Sequence, residues 1–138
     1  MKTLNRKIVA QCSHKIIGAA IQVHRELGPG LLEKVYKSCL IHELGTLGLH
    51  VETEVTIPVN YKGIDLSTGL KLDLLVEDCV IVELKATQQM HSVYDAQLLS
   101  YMKLMHIPKG ILFNFFCTNL VKEGMKTFVN EHFSLLDE

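Results

Sequence analysis

Two carboxylates and a lysine lie close together in two short apolar segments of the chain. Asp73 lies within residues 70–76, and Glu83 and Lys85 lie at the end of residues 80–85. Carboxylate oxygens are hard ligands that suit Mg²⁺, which usually completes its shell with waters and phosphate oxygens. A neighbouring ammonium can stabilise an attacking hydroxide or the negative charge that develops on a phosphate. These residue types indicate metal-assisted phosphoryl chemistry, provided that the fold brings them together.

Apolar residues alternate through both segments, which is the pattern of two strands. The apolar positions are even-numbered in both segments: Leu70, Leu72, Leu74 and Val76, then Val80, Val82 and Leu84. An antiparallel pair that shares this apolar face needs a loop of odd length, and residues 77–79 supply three. The same register predicts that Asp73 lies near Glu83 on the other face, together with Lys85. A solvated sheet face held by ion pairs would have the same motif, so the motif alone leaves both interpretations open.

Two helices are predicted ahead of these strands. A stripe with spacings of three and four runs through residues 8–27 and ends at residues 28–30, which are Gly-Pro-Gly. A second stripe runs through residues 32–44. Glu33 lies in the first turn of this helix and shares a face with Tyr36. Glu33 either compensates the helix dipole or belongs to a site, and Tyr36 either packs in the core or supports the site.

Three more strands are predicted from alternation and apolar runs. Residues 51–61 alternate as one half-buried strand, which Pro58 places at an edge or a bulge. Residues 110–116 are very apolar and predict a central strand, and residues 124–130 predict one more short strand. The order ααβββαβ, followed by the short strand at the tail, predicts an α/β or α+β fold with a mixed sheet.

A third helix, over residues 92–105, carries polar side chains on one face. Ser92, followed three residues later by an aspartate, predicts its N-cap. Gln97 and Tyr101 are four residues apart and share a face with Tyr94. A glutamine within an apolar run needs a hydrogen-bond partner, which is either structural or catalytic.

Composition excludes several classes of protein. The chain has 138 residues, of which 48% are hydrophobic, so we expect a single globular domain over residues 1–138. The formal net charge is −1, which excludes a strongly basic surface. Any contact with nucleic acid would therefore need a local basic patch. The chain lacks both a signal-peptide pattern and an apolar run near the roughly 20 residues of a membrane span, so we expect a cytoplasmic location.

The cysteines and histidines indicate no metal site. The seven histidines have no zinc-ligand spacing. The four cysteines have no C-x-x-C spacing and are expected to be small buried hydrophobic residues. They are Cys12, Cys39, Cys79 and Cys117.

Together these segments resemble the GxxExxY proteins, a branch of the PD-(D/E)XK nuclease superfamily. The signature residues of the branch are Gly30, Glu33 and Tyr36. Asp73 followed by residues 83–85, Glu-Leu-Lys, resembles the catalytic motif of the superfamily.

The resemblance covers nearly the whole chain, from residues 16–20 to residues 114–115. Residues 96–101 resemble the Q-x-x-x-Y motif of the exonuclease-like branch. Two positions depart from the family pattern. Leu72 replaces the proline that names the superfamily, and Tyr94 replaces the histidine of many relatives.

The resemblance implies a restriction-endonuclease-like core, in which a mixed central sheet is flanked by helices. It also implies a nuclease that uses Mg²⁺ or Mn²⁺ to hydrolyse phosphodiester bonds of DNA or RNA. The implied catalytic residues are Glu33, Asp73, Glu83, Lys85, Gln97 and Tyr101. The implied metal ligands are Asp73, Glu83, the carbonyl of Leu84, and Glu33 as a third carboxylate.

The other implied roles concern the water and the phosphate. Lys85 would orient the attacking water or stabilise the charge on the phosphate, and Gln97 would fix Lys85 or a metal-bound water. Tyr101, with Tyr36 as a second candidate, would contact phosphate or support the site. His24 either approaches the site or packs within the fold.

Two other functions are compatible with the sequence. A nuclease-fold module that binds nucleic acid or a protein partner without cutting would suit the mildly acidic balance, whereas the intact acidic residues and lysine favour an enzyme. A structural protein with ion pairs that mimic a site is the third interpretation. The small size and the edge at Pro58 predict a homodimer or a partner protein.

Overall fold

Five helices and seven strands follow one another along residues 3–138, the part of the chain that the computed structural model describes. In chain order they are α1 (Arg6–Leu27), α2 (Glu33–Thr46), β1 (Val51–Thr56), β2 (Val59–Tyr61), β3 (Ile64–Leu66), β4 (Lys71–Val76), β5 (Val80–Lys85), α3 (Ser92–Met105), β6 (Lys109–Asn114), α4 (Leu120–Glu123), β7 (Met125–Val129) and α5 (Glu131–Ser134). Five strands form a sheet in the order β1-β4-β5-β6-β7, in which only β5 and β6 are parallel. The predicted fold class, a mixed sheet flanked by helices, is confirmed.

Helices cover both faces of this sheet. One buried cluster, which includes Ile16, Val82 and Phe113, lies between the sheet and the helices α1 and α2. A second cluster, which includes Ile81 and Leu98, lies between the sheet and α3. The middle strand β5 is buried on both faces, which explains its apolar run over residues 80–82. A parallel neighbour for β5 requires a crossover connection, and α3 provides it.

The side-chain alternation of β4 breaks at Asp73. Leu72 lies in the cluster under α3, whereas Leu74 lies in the cluster under α1 and α2. Opposite Asp73, Glu54 of β1 has a φ of +50°, and the pairing of β1 with β4 is interrupted there. A left-handed residue is uncommon outside glycine and disturbs the regular pleat. The prediction that all even positions of β4 share one face is therefore wrong for Leu72 and for Leu70, which packs with it.

The single strand predicted over residues 51–61 is two strands. β1 ends and β2 begins on either side of Pro58, whose missing N–H cannot continue the ladder. β1 is an edge strand, as expected from this proline. β2 pairs with β3 around Lys62 and Gly63, which both have positive φ, the backbone of a tight hairpin turn. Residues 60–69 are all exposed, so this hairpin projects from the fold.

The ends of the other elements agree closely with the sequence prediction, with one exception. β5 and β4 pair around the three-residue loop at residues 77–79 in the predicted register. β6 and β7 confirm the strands predicted over residues 110–116 and 124–130. The N-cap of α3 is His91 rather than Ser92, and no side chain caps this helix, so the N-cap prediction is wrong.

The cysteines follow the prediction only in part. All four are free thiols, and Cys12 and Cys79 are buried in the core. Cys39 and Cys117 are half-buried. Among residues 3–138, no helix combines the length and the apolar character that a membrane crossing requires.

Two glycines provide a matched test of the packing. A Cβ at Gly124 would lie 2.2 Å from the carbonyl oxygen of Asn114, whereas a Cβ at Gly18 on α1 meets no atom within 4 Å. Because the backbone of β6 cannot yield, Gly124→Ala is expected to lower the free energy of unfolding by about 1–3 kcal/mol. Gly18→Ala is expected to raise it by about 0.5–1 kcal/mol, because alanine favours the helix. Urea unfolding measures both, and a Gly124→Ala protein as stable as the wild type would contradict the close approach.

Candidate active site

Asp73 and Glu83 lie side by side where β4 and β5 stop pairing. The regular register of these strands ends at Leu74 and Val82. Beyond that point the carboxylates accept the next backbone hydrogen bonds. Glu83 Oε1 accepts from the backbone N–H of Asp73 at 3.2 Å, and Asp73 Oδ2 accepts from the N–H of Leu84 at 3.0 Å. The backbone thus holds both side chains in one place.

The two acids strongly affect each other. Burial raises the pKa of Glu83, and a hydrogen bond from this carboxyl to Asp73 together with the negative charge of Asp73 raises it further, to about 9. The hydrogen bond from the backbone N–H of Asp73 lowers the pKa of Glu83, and so does the charge of Lys85. The raised pKa means that, without a cation, the pair favours a bound proton over a second negative charge. The two carboxyl groups offer oxygen donors, so their chemistry fits a hard divalent cation.

Glu33 lies at the rim of this pair, at the start of α2. It is exposed. Burial of its carboxyl raises the pKa of Glu33, and the charge of Asp73 raises it further, whereas Lys85 and Lys37 lower it. The ionisation of Glu33 is therefore linked to the charge of Asp73. Within residues 3–138, however, no group of three or more His, Cys, Asp or Glu side chains is arranged to hold a metal, so Glu33 does not complete a three-carboxylate set with Asp73 and Glu83.

Tyr36 determines the course of the loop that precedes Glu33. Its side chain is fully buried and stacks on Phe115, with ring centroids 4.5 Å apart. Its hydroxyl donates to the carbonyl of Gly28 at 2.5 Å and accepts from the N–H of Leu31 at 3.1 Å. Tyr36 therefore packs in the core, and its contribution to the site is to fix where α2 begins.

Helix α3 approaches the pair from the other face of the sheet. Burial raises the pKa of Tyr101, and the charges of Glu83 and Asp73 raise it further. The Nζ atom of Lys85 lies 4.5 Å from the ring centroid of Tyr94, a cation–π contact. Tyr94 thus holds the ammonium at the side of the site. Gln97, in contrast, is exposed.

Two further polar side chains belong to the framework around the site. His24 is buried, and its Nε2 donates to the carbonyl of Cys117 at 2.8 Å, so it packs within the fold. Asn114, at the end of β6, is also buried. Its Oδ1 accepts from the N–H of Thr87 at 3.1 Å, and its Nδ2 donates to the carbonyl of Thr87 at 2.9 Å. Asn114 therefore anchors the segment that follows Lys85.

Sequence reasoning missed Lys37 and Glu54. The Nζ atom of Lys37 lies 3.5 Å from Asp73 Oδ1 and forms an ion pair with Glu54. One signal for Lys37 was available, because it follows Glu33 by four residues on α2 and therefore lies on the same face. Glu54 had no such signal, since its position depends on the interrupted pairing of β1 with β4.

Comparison with known families agrees with this arrangement. A family model described as the PD-(D/E)XK nuclease superfamily matches residues 10–128. The match spans most of the chain, so the chain belongs to the PD-(D/E)XK nuclease superfamily. Nucleases of this superfamily generally use divalent metals, and membership implies interaction with nucleic acid. Searches of curated proteins and of solved structures found no match to this chain.

Replacement of Glu83 tests its raised pKa. The folded wild type binds the Glu83 proton more tightly than the unfolded chain does, so without metal its free energy of unfolding is expected to fall as the pH rises from 4.5 to about 9. Glu83→Gln removes this titration and keeps an acceptor oxygen. The variant is therefore expected to gain stability relative to the wild type as the pH rises. Urea unfolding in EDTA across this range measures the difference, and a difference independent of pH would contradict the raised pKa.

Proposed function

We propose that this protein is a nuclease that hydrolyses phosphodiester bonds of nucleic acid with Mg²⁺ or Mn²⁺. The observation that carries the proposal is the Asp73–Glu83 pair, two carboxylates held together by backbone hydrogen bonds beside Lys85. Membership of the PD-(D/E)XK nuclease superfamily supports it. A solvated ion-paired surface is disfavoured, because such a surface would separate its like charges.

In this proposal the acidic side chains hold the ion. Asp73 and Glu83, with the carbonyl of Leu84, are the protein ligands, and waters and phosphate oxygens complete the shell. The bound ion supplies a Lewis acid and lowers the pKa of a coordinated water. Glu33, at the rim, would be the third carboxylate and would act on the ion or on that water.

The remaining residues act on the phosphate and the water. Lys85 stabilises the charge that develops on the phosphate or orients the attacking water. To do so its ammonium moves from the ring of Tyr94 toward the carboxylates. Tyr101 offers a hydroxyl to the phosphate, and Gln97, exposed on α3, positions Lys85 or a coordinated water.

A module that binds nucleic acid or a protein partner without cutting is the second candidate. The contact between Lys85 and Tyr94 favours it, because a lysine held on an aromatic ring is directed away from the phosphate. The net charge of −1 favours it as well, since a nuclease that binds nucleic acid by itself usually carries a basic groove.

A cleavage assay separates the two candidates. Purified protein is incubated with labelled single- and double-stranded DNA and RNA in Mg²⁺ or Mn²⁺, beside Asp73→Ala and Lys85→Ala variants. We expect cleavage by the wild type and a loss of about 100-fold or more in each variant, because each removes charge that acts in the transition state. Lys34→Ala is the matched control, since Lys34 is an exposed lysine on α2.

The outcomes are distinct. Cleavage retained by Asp73→Ala or Lys85→Ala would contradict the assigned roles. Metal binding without cleavage of any substrate would favour the binding module.

We also propose that the chain belongs to the GxxExxY branch and that residues 1–138 form one domain. Two signature positions have structural reasons that support the branch. Gly30 has a φ of +103°, which side chains rarely adopt, and Tyr36 holds the same loop through its hydroxyl. The single sheet that both hydrophobic clusters share supports the single domain.

We further propose that the β2–β3 hairpin mediates homodimerisation. Tyr61 pairs with Ile64, and Leu66 lies on the same face, with each of the three residues 45% to 60% exposed. An exposed apolar face of this kind marks an interaction surface. Light scattering is expected to give the mass of a dimer for the wild type and of a monomer for Tyr61→Ser/Ile64→Ser. A monomeric wild type at micromolar concentration would contradict the proposal.

A further inference from the structure

We propose that Lys37 is an internal cation that bridges Asp73 and Glu54 in the metal-free site and transfers fully to Glu54 when a divalent metal binds. This inference rests on the proposed function, because it takes Asp73 to be a metal ligand. It assigns a role to an ion pair that lies outside the family motifs described above.

The two oxygens of Asp73 have different partners. Oδ2 accepts the hydrogen bond from Leu84 N–H at 3.0 Å, which fixes that side of the carboxylate. Among residues 3–138 no backbone N–H donates to Oδ1, which faces Lys37 Nζ at 3.5 Å. Oδ1 is therefore the oxygen available to a metal ion, and it is also the oxygen that the ammonium approaches.

A metal ion and the ammonium cannot both remain at this oxygen. Mg²⁺ binds carboxylate oxygens at about 2.0–2.1 Å, so a coordinated ion would lie close to Nζ. Only 15% of the Lys37 side chain and 19% of the Asp73 side chain are exposed, so water does little to screen the repulsion. Metal binding at Asp73 therefore requires that the ammonium withdraw.

Glu54 provides the place to which the ammonium withdraws. It already forms an ion pair with Lys37, and 55% of its side chain is exposed. The pair therefore reaches from the site toward solvent, at the edge strand β1. With Glu54 as its partner, Lys37 keeps a counter-charge after it leaves Asp73, and the withdrawal does not strand a half-buried ammonium.

The contact between Lys37 and Asp73 stabilises the metal-free site, and it therefore weakens the apparent affinity of the site for a metal ion. Without metal, the charge of Lys37 compensates the cluster of acids that surrounds Asp73. A metal ion must displace that charge, so removal of Lys37 makes binding tighter, and removal of Glu54 makes binding weaker. A lysine that only oriented Asp73 for the metal would have the opposite effect on removal.

The test is a Mn²⁺ titration of the full chain, with free Mn²⁺ followed by electron paramagnetic resonance. Compared with the wild type, Lys37→Met is expected to bind Mn²⁺ about 3- to 10-fold more tightly, because a competing cation is gone. Glu54→Gln is expected to bind about 3-fold more weakly. In the double variant the Glu54→Gln effect is expected to vanish, because Glu54 acts only through Lys37.

Two controls keep the result interpretable. Lys37→Arg retains the positive charge and is expected to bind Mn²⁺ as the wild type does. It therefore separates the effect of the charge from the effect of changing the side chain. Lys34→Met removes an exposed charge from the same helix and is expected to leave the affinity unchanged. Circular dichroism of each variant shows whether it is folded.

Three outcomes would overturn the inference. Weaker or unchanged Mn²⁺ binding by Lys37→Met, with the wild type binding normally, would overturn it and leave the proposed function intact. A Glu54→Gln effect that persists in the double variant would overturn the transfer to Glu54. No Mn²⁺ binding by any protein, wild type included, would overturn the proposed metal site and this inference with it.

Discussion

The enforced proximity of two carboxylates is the constraint on which the site depends. Asp73 and Glu83 occupy the point where β4 and β5 separate, and each accepts a backbone N–H that the ladder would otherwise have used. The strands lose regular pairing there and gain a pair of acids that repel each other unless a proton or a cation lies between them. Two lysines reduce this repulsion: Lys37 lies close to Asp73, and the charge of Lys85 lowers the pKa of Glu83.

A rigid framework is needed to hold such an unfavourable pair. The middle strand β5 is buried on both faces, so Glu83 cannot move away from Asp73 by tilting the strand. Tyr36 and Asn114 are buried and hold the loops on either side of the site through hydrogen bonds to backbone groups. Glu54 adopts a left-handed backbone beside Asp73. Departures from local rules of this kind are expected at functional sites, where the rest of the fold supports them.

Periodicity predicted most of the fold and failed where the periodicity itself is broken. The hairpin at residues 77–79 and the strands β6 and β7 follow from apolar patterns and turn residues. Alternation predicts the wrong face for Leu72, because it assumes an unbroken pleat and the pairing is interrupted at Glu54. The split at Pro58 had a visible cause, since proline cannot donate to a ladder.

Local sequence patterns predict which acids meet, because the register of a hairpin follows from its loop length and the parity of its apolar residues. They also predict that Glu33 lies at the start of a helix. The contacts of Lys37 with Asp73 and of Lys85 with the ring of Tyr94 follow only from tertiary packing. Local periodicity describes neighbours within one element or one hairpin. A contact between a helix and a sheet depends instead on how two whole surfaces pack, and that depends on every residue in both.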